Sequence, residues 1–244
     1  MCTLSVITRD QGFLLAMNRD EQLTRGKAIP PAQTRVAATT AVYPRDGAGG
    51  TWIAVNNHGV ALALLNWNDI PQPEGEKTRS RGAMIPALIG CTSLEEVQAT
   101  LPTIDLRATW PFRIAGIFAA EKKIVEWRWD GEKVVSQSHD WTPKHWFSSS
   151  VSDAQALSQR GSACAAAWSL EDAGSLPWLR RLHASHANGP GPFSLCVHRE
   201  NVGTLSFTEI ECGPEKIDCR YFEGSPCAMT RTDVGDPVEL DRAT

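Results

Sequence analysis

Short blocks of apolar residues separated by polar turns run along most of this chain, a pattern typical of β-strands. The first two blocks, residues 3–8 and 13–17, are rich in branched or bulky side chains, and a polar turn that ends in Gly12 separates them. Blocks of this length and composition around a tight polar turn predict a β-hairpin.

The length of the loop decides which residues of this hairpin face each other. A two-residue loop pairs Cys2 with Arg19, whereas a three-residue loop that includes Gly12 pairs Cys2 with Asp20. Both registers place the cysteine next to charged side chains.

A second hairpin is predicted from residues 51–55, a turn at 56–59, and residues 60–65, which end at Asn66. The stretch 60–65 is almost continuously apolar, so we expect this strand to be covered on both faces. The stretch 22–46, rich in Pro, Thr, Arg and Ala, is interpreted as a long connection with one strand near residues 35–38.

The rest of the chain predicts further antiparallel strands and a few helices. About eleven strands are expected in total, and this succession favours an α+β fold. The later predicted strands cover residues 111–120, 123–130, 132–136, 145–150, 193–198, 202–211 and 216–222. The predicted helices cover residues 83–89, 94–101, 153–169 and 176–187.

Domain organisation follows from the absence of internal repeats and composition shifts. We expect one domain over residues 1–230 and a loose tail over residues 231–244.

Composition and charge argue against two classes of protein, those that bind nucleic acid and those that span a membrane. The 244 residues carry a net charge of −4 without a run of Lys or Arg, which argues against nucleic-acid binding. The N-terminus lacks a basic region before a long apolar core, and no stretch approaches the ~18 apolar residues of a membrane span. The expected location is therefore the cytoplasm. No pattern indicates an oligomeric state.

Cysteine and tryptophan usage add two expectations. Seven cysteines, without a Cys-x-x-Cys motif or paired Cys/His spacing, argue against a disulfide framework and a structural zinc site, so no metal is predicted. Nine tryptophans are present against two tyrosines. Trp127 and Trp129 share one face of a predicted strand, with Trp141 and Trp146 nearby, and the group forms either a pocket wall or ordinary aromatic core.

Cys2 is a candidate nucleophile because of its position. An initiator Met is normally removed before a residue as small as Cys, which would leave Cys2 with both a thiol and a free α-amine. The amine, with a reference pKa of about 7.7 to 8.0, can act as a base, and a cation such as Arg19 favours the thiolate. The alternative is that Cys2 is a small buried residue and Arg19 part of a solvated turn.

Four motifs together resemble a known family. Met1-Cys2 before a hairpin, the tetrapeptide Asn18–Glu21, the Gly-Gly-Thr-Trp of residues 49–52 and the Ser-Arg-Gly of residues 80–82 are similar to the NRDE family, also called the transport and Golgi organisation protein 2 family. The resemblance implies an N-terminal-nucleophile (Ntn) hydrolase fold, a four-layer αββα sandwich similar to penicillin V acylase and bile salt hydrolase.

The resemblance also implies roles for individual residues. Cys2 would be the nucleophile, Arg19 and Asp20 its ordering pair, and Asn66 an oxyanion donor. For Asn66 the alternative is simple turn-capping. Arg199 would match a late arginine near the nucleophile. The implied substrate-binding residues are Asn18, Glu21, Trp52 and Arg81.

Two features depart from the related hydrolases. Those enzymes place the Arg and Asp three residues apart, whereas Arg19 and Asp20 are adjacent, so that Asn18 or Glu21 could take a neighbour's role. The predicted strand 145–150 ends in serines where the family often has an Asn.

The implied function is hydrolysis of a linear amide bond in a small molecule, without a cofactor. The alternative is a non-catalytic protein that binds or carries haem, an activity linked to the family. His183 and His186, three apart on a predicted helix, would share a face as haem ligands, although such a pair is more often solvated.

Overall fold

The computed structural model describes residues 1–71, 79–187, 189–229 and 235–243. Its strands are β1 (Cys2–Arg9), β2 (Gly12–Gln22), β3 (Ile29–Val36), β4 (Thr39–Arg45), β5 (Ile53–Asn56), β6 (Val60–Asn66), β7 (Phe112–Phe118), β8 (Lys123–Trp129), β9 (Val134–His139), β10 (Lys144–Ser148), β11 (Val202–Cys212), β12 (Lys216–Glu223) and β13 (Val238–Asp241). Its α-helices are α1 (Met84–Leu88), α2 (Leu94–Thr100), α3 (Asp153–Ala167) and α4 (Leu176–His183).

These strands form two antiparallel sheets. The first sheet has the order β10-β1-β2-β11-β12-β13, and the second has the order β3-β4-β5-β6-β7-β8-β9. The inner faces pack together around Leu4, Leu15, Val55 and Ala63. Helices α3 and α4 pack on the outer face of the first sheet, and α1 and α2 pack on that of the second. The four-layer αββα sandwich is therefore confirmed.

The first hairpin adopts the two-residue loop. Cys2 pairs with Arg19, and Arg9 pairs with Gly12. Gly12 has a φ of +126°, and a Cβ there would lie 1.9 Å from the carbonyl oxygen of Cys212, the last residue of the neighbouring strand β11. Only glycine fits this position. The close contact with Cys212 therefore fixes the register of the hairpin relative to β11.

The predicted long connection 22–46 is instead largely a third hairpin, formed by β3 and β4. Strand β3 was not predicted because it contains Pro30 and Pro31, and proline cannot donate a ladder hydrogen bond. They are tolerated because β3 lies at the edge of its sheet, with a register shift between Ile29 and Ala32.

Two other predictions are corrected. The tail was expected to be loose, but Val238–Asp241 pairs with β12 and buries Leu240; residues 231–234 and 244 lie outside the described residues. The segment 193–198 is mostly turn, with one bridge between His198 and Gly203.

Within the described ranges, none of the helices has the length and apolar character required to cross a bilayer.

Candidate active site

A polar cavity of about 150 Å³ lies at the end of the first hairpin. It gathers seven of the nine predicted site residues, namely Cys2, Arg19, Asp20, Glu21, Trp52, Asn66 and Arg81. The cavity is also lined by Met1, Arg25, Asp46, Thr51, Leu64, Ser80 and Gly82. Residues from Met1 to Gly82 thus line the same cavity as the Cys2 side chain.

Close backbone packing brings two of the sequence motifs to this cavity. The N–H of Thr51 donates to the carbonyl of Gly82 at 3.0 Å. A Cβ on Gly50 would lie 3.2 Å from the Cα of Gly82, so a side chain there would crowd this approach of the two backbones. The contact brings Trp52 and Arg81, the neighbours of these residues in sequence, to the wall of the same cavity.

Arg19 and Asp20 point to opposite sides of the first sheet. The guanidinium of Arg19 lies on the inner side, 4.2 Å from the ring centroid of Trp52. The carboxylate of Asp20 accepts a 2.6 Å hydrogen bond from Thr204 and lies 3.7 Å from the guanidinium of Arg160. Arg19 and Asp20 therefore do not pair with each other, since successive side chains of a strand alternate between its faces, and their predicted role in ordering Cys2 stays a prediction.

Arg160 is a residue of this site that the sequence analysis missed. It lies on α3, is fully buried, and donates to the Oγ1 of Thr3 at 2.9 Å and to the carbonyl of Cys2 at 3.4 Å. A sequence signal existed: Arg160 is a lone charge between Ala156 and Cys164 on the buried face of an alanine-rich helix. The hydrogen bonds of Arg160 to Cys2 and Thr3 link α3 to the start of β1.

The beginning of the chain is held on both sides. The N–H of Cys2 donates to the Oγ of Ser148 on β10 at 2.9 Å. The amine of Met1 donates to the carbonyl of Asp20 at 2.9 Å, and the N–H of Asp20 donates back to the carbonyl of Met1 at 3.0 Å. Ser148, one of the serines where the family often has an Asn, thus contacts the atom that would become the free α-amine.

The electrostatics of Cys2 differ from the prediction. Burial raises the pKa of the Cys2 thiol, while the positive N-terminal amine, the Asp20 backbone N–H and Arg19 lower it and the Asp20 carboxylate raises it. Burial also raises the pKa of Asp20, with Arg160 acting against it. With Met1 in place, Arg19 therefore does not by itself produce a thiolate.

Arg81 brings a second guanidinium to the cavity. Burial lowers its pKa, and the negative charges of Glu21 and Cys2 act in the opposite direction. Its Nη1 donates to the carbonyl of Pro111 at 3.3 Å, which orients the side chain. The substrate-binding role of Arg81 stays a prediction.

Asn18 and Arg199 lie outside the cavity lining. Asn18 is buried on the outer face of the sheet, where its Nδ2 donates to the carbonyls of His183 and Leu195, both at 2.8 Å. Arg199 is exposed and donates to the Oγ of Ser150 at 3.3 Å. The geometry gives Asn18 a structural position instead of substrate contact.

The histidine pair proposed for haem does not share a face. His183 ends α4 inside the core, with Nε2 2.9 Å from the Oγ of Ser5. That hydroxyl is also 2.7 Å from Nδ1 of His145. His186 lies beyond the helix, and its ring centroid is 4.8 Å from that of His198.

The tryptophans are divided between layers. Trp127 and Trp129 pack on the outer face of the second sheet, whereas Trp146 packs between the sheets. Trp127 and Trp129 do border a larger cavity of about 720 Å³, formed with residues 98–107. The residues that line it include neither cysteine nor histidine.

Comparison with known proteins agrees with this geometry. A family model described as Transport and Golgi organisation 2 matches residues 1–124. No curated protein matches.

Solved structures with a similar fold include a mutant and a variant of the conjugated bile acid hydrolase from Clostridium perfringens. Each is 11% identical to this chain, with a TM-score of 0.50 over 100% of this chain and 97% of the other. Penicillin V acylase from Agrobacterium tumefaciens is 12% identical, with a TM-score of 0.46 over 97% of each chain. The bile acid hydrolase structures show the Ntn-hydrolase fold for this chain.

Proposed function

The chain belongs to the Transport and Golgi organisation 2 family, and from this premise we propose that it is an N-terminal-cysteine hydrolase that cleaves a linear amide (C–N) bond of a small molecule. The observation that carries the proposal is the placement of Cys2. Its side chain lines a polar cavity, and its backbone nitrogen is held by Ser148 at 2.9 Å. Removal of Met1 would therefore place an amine and a thiol of one residue in the same site.

The proposed reaction begins with proton transfer from the thiol of Cys2 to its own α-amine. The thiolate attacks the amide carbonyl, a C–S bond forms, and the protonated α-amine gives its proton to the leaving nitrogen as the C–N bond breaks. Water then hydrolyses the thioester, which releases the acid and regenerates the thiol.

The walls of the cavity support this chemistry. Asn66, at the end of β6, is the proposed donor to the oxyanion, and Arg19 and Arg81 supply positive charge near the developing negative charge. Glu21 lies on the same wall and favours a substrate that carries a positive or hydrogen-bond-donating group. Asp20 and Arg160 act as positioning residues, because they fix the strand ends that carry Cys2.

The first test is the state and reactivity of Cys2. Intact mass should show that Met1 is absent. Peptide-mapped alkylation by iodoacetamide at pH 7 should then label Cys2 faster than Cys91. Cys91 is a matched control, since the two residues are 7% and 8% exposed and burial raises the pKa of each thiol. Retention of Met1 together with equal labelling would contradict the proposal.

The second test is hydrolysis of a panel of N-acyl amides by the full chain. Cys2→Ser should bring turnover to background, and Cys91→Ser should leave it unchanged. Far-UV circular dichroism of both variants shows whether the fold is kept. Turnover that survives Cys2→Ser would place the nucleophile elsewhere.

A further inference from the structure

Two cysteines and two histidines converge on the outer side of the first sheet, away from the Cys2 cavity. One ligand atom from each of His186, Cys196, His198 and Cys227 lies within 4.8 Å of the others. We propose that these four side chains form a zinc site with a Cys₂His₂ ligand set. The four residues do not line the Cys2 cavity, so this proposal stands independently of the hydrolase.

The distances match a tetrahedral zinc site. Zinc binds cysteine sulfur at about 2.3 Å and histidine nitrogen at about 2.0–2.1 Å, which places a sulfur and a nitrogen ligand about 3.5 Å apart. In the structure, Nε2 of His198 is 3.5 Å from Sγ of Cys196 and 3.3 Å from Sγ of Cys227. The cluster therefore needs little rearrangement to enclose a zinc ion.

The donor atoms are available for a metal. Nε2 of His186 is buried without a hydrogen-bond partner in the described structure. A buried nitrogen in this state carries a desolvation penalty, which a metal–ligand bond would remove. Cys196 and Cys227 are free thiols, and two thiolates with two imidazoles form a donor set that suits zinc.

The ligands come from segments that have little regular structure of their own. His186 follows α4, Cys196 and His198 lie in the turn-rich segment before β11, and Cys227 lies in a short 3-10 turn after β12. A zinc ion there would cross-link two separate connections, the one between α4 and β11 and the one that follows β12. Such a cross-link supplies binding free energy to regions with few backbone ladder bonds of their own.

The zinc site would also support the candidate active site. Val197, between two of the ligands, donates its N–H to Oγ1 of Thr204 at 2.8 Å and accepts the N–H of Thr204 at 3.0 Å. The same hydroxyl donates to Asp20 at 2.6 Å. The metal would thus hold the segment that positions Asp20, one strand residue away from the partner of Cys2.

Long separations in sequence explain why this site escaped the sequence analysis. Only Cys196 and His198 are close together, since His186 lies ten residues before Cys196 and Cys227 lies in a different connection. The usual zinc signal of two close ligand pairs is therefore missing.

The test uses the full chain, produced with zinc in the medium and purified under reducing conditions. We expect about one zinc per chain by elemental analysis. Zinc added to the metal-free protein should release about two protons, one from each thiol. Co²⁺ should give the visible absorption of a tetrahedral thiolate site.

Matched variants make the assignment specific. Cys227→Ser and His186→Gln should each weaken zinc affinity by about tenfold or more, whereas Cys91→Ser and His58→Gln should not change it. Cys227 is exposed, so its substitution tests the site even if Cys196→Ser fails to fold.

Two results would overturn the proposal. One is a protein that takes up no zinc, or that keeps wild-type affinity in both ligand variants. The other is a disulfide between Cys196 and Cys227, found by non-reducing peptide mapping of freshly purified protein that lacks metal.

Discussion

The outer faces of the two sheets, each covered by helices, have one kind of buried asparagine contact in common. They differ in the other polar groups that they bury. Each face has a buried asparagine whose Nδ2 joins two backbone carbonyls. Asn18 does so on the first sheet at 2.8 Å to both, and Asn56 on the second at 2.8 and 2.7 Å. In both cases the side-chain amide links two carbonyls at the end of a covering helix and in the connection that follows it.

Apart from this asparagine contact, the second sheet buries an apolar layer around residues such as Leu62, Leu88 and Ile114. The first sheet instead buries the Arg160–Asp20 ion pair and the hydroxyl of Ser5 between two histidines. The candidate active site therefore lies on the inner face of a sheet whose outer face carries buried charge. The buried polar contacts that hold the strand of Cys2 thus lie on the opposite face of the sheet from the cavity.

The largest expected effect comes from breaking that buried pair. Arg160→Ala should lower the free energy of unfolding by about 3–5 kcal/mol, because it leaves Asp20 buried without its cation. Urea unfolding measures the change. The double variant Arg160→Met with Asp20→Leu should recover most of the lost stability. A loss below about 1 kcal/mol in Arg160→Ala would show that the buried ion pair contributes little to the free energy of unfolding.

A slightly smaller effect is expected on the apolar side. Leu88→Ala, in α1, should cost about 2–5 kcal/mol through lost burial and a residual cavity. The labelling rate of Cys2 in the folded state should not change, since this layer contacts the opposite sheet. A changed rate would show that the two layers are coupled.

The buried histidines make the first sheet sensitive to acid. Burial lowers the pKa of His183 to about 3 and that of His145 to about 4, so both are neutral in the folded protein at mildly acidic pH. The unfolded chain takes up these protons below its pKa of about 6.5. Their contribution to stability is therefore complete above that pH and is lost as pH falls toward 4 and 3.

His183→Gln isolates this contribution. Between pH 7 and 5 the free energy of unfolding should fall by about 2 kcal/mol less in the variant than in the wild type, at about 1.36 kcal/mol per pH unit. Chemical unfolding at several pH values measures the two slopes. His58→Gln is the control in a turn of the second sheet, and equal slopes for His183→Gln and wild type would refute the assignment.

The smallest effect is expected for Arg19→Ala. Its buried contact with Trp52 is worth about 2 kcal/mol at most, and its charge is the least of the influences that shift the pKa of Cys2. The pKa of the thiol should rise slightly, and alkylation at pH 7 should slow by a few-fold at most. Arg9→Ala, at the far end of the same hairpin, should leave the rate unchanged.

The parts of the fold that sequence predicts well depend on local pattern. The first hairpin follows from its loop and from Gly12, and strand alternation alone would have separated Arg19 from Asp20. Ser148 and Arg160 could not be assigned in this way, because they meet Cys2 from more than 140 residues away. Long-range contacts of that kind are decided by packing, which local periodicity does not describe.

The backbone bonds between Met1 and Asp20 have a consequence for biosynthesis. They extend the ladder by one pair and leave Met1 only 7% exposed, so the folded chain shields this residue from an aminopeptidase. At about 5–20 residues per second, a ribosome needs roughly 7–30 s to reach Ser148, whose strand closes over the N-terminus. We therefore expect Met1 to be removed before this strand folds, because a chain that keeps Met1 would fold with the proposed nucleophile capped.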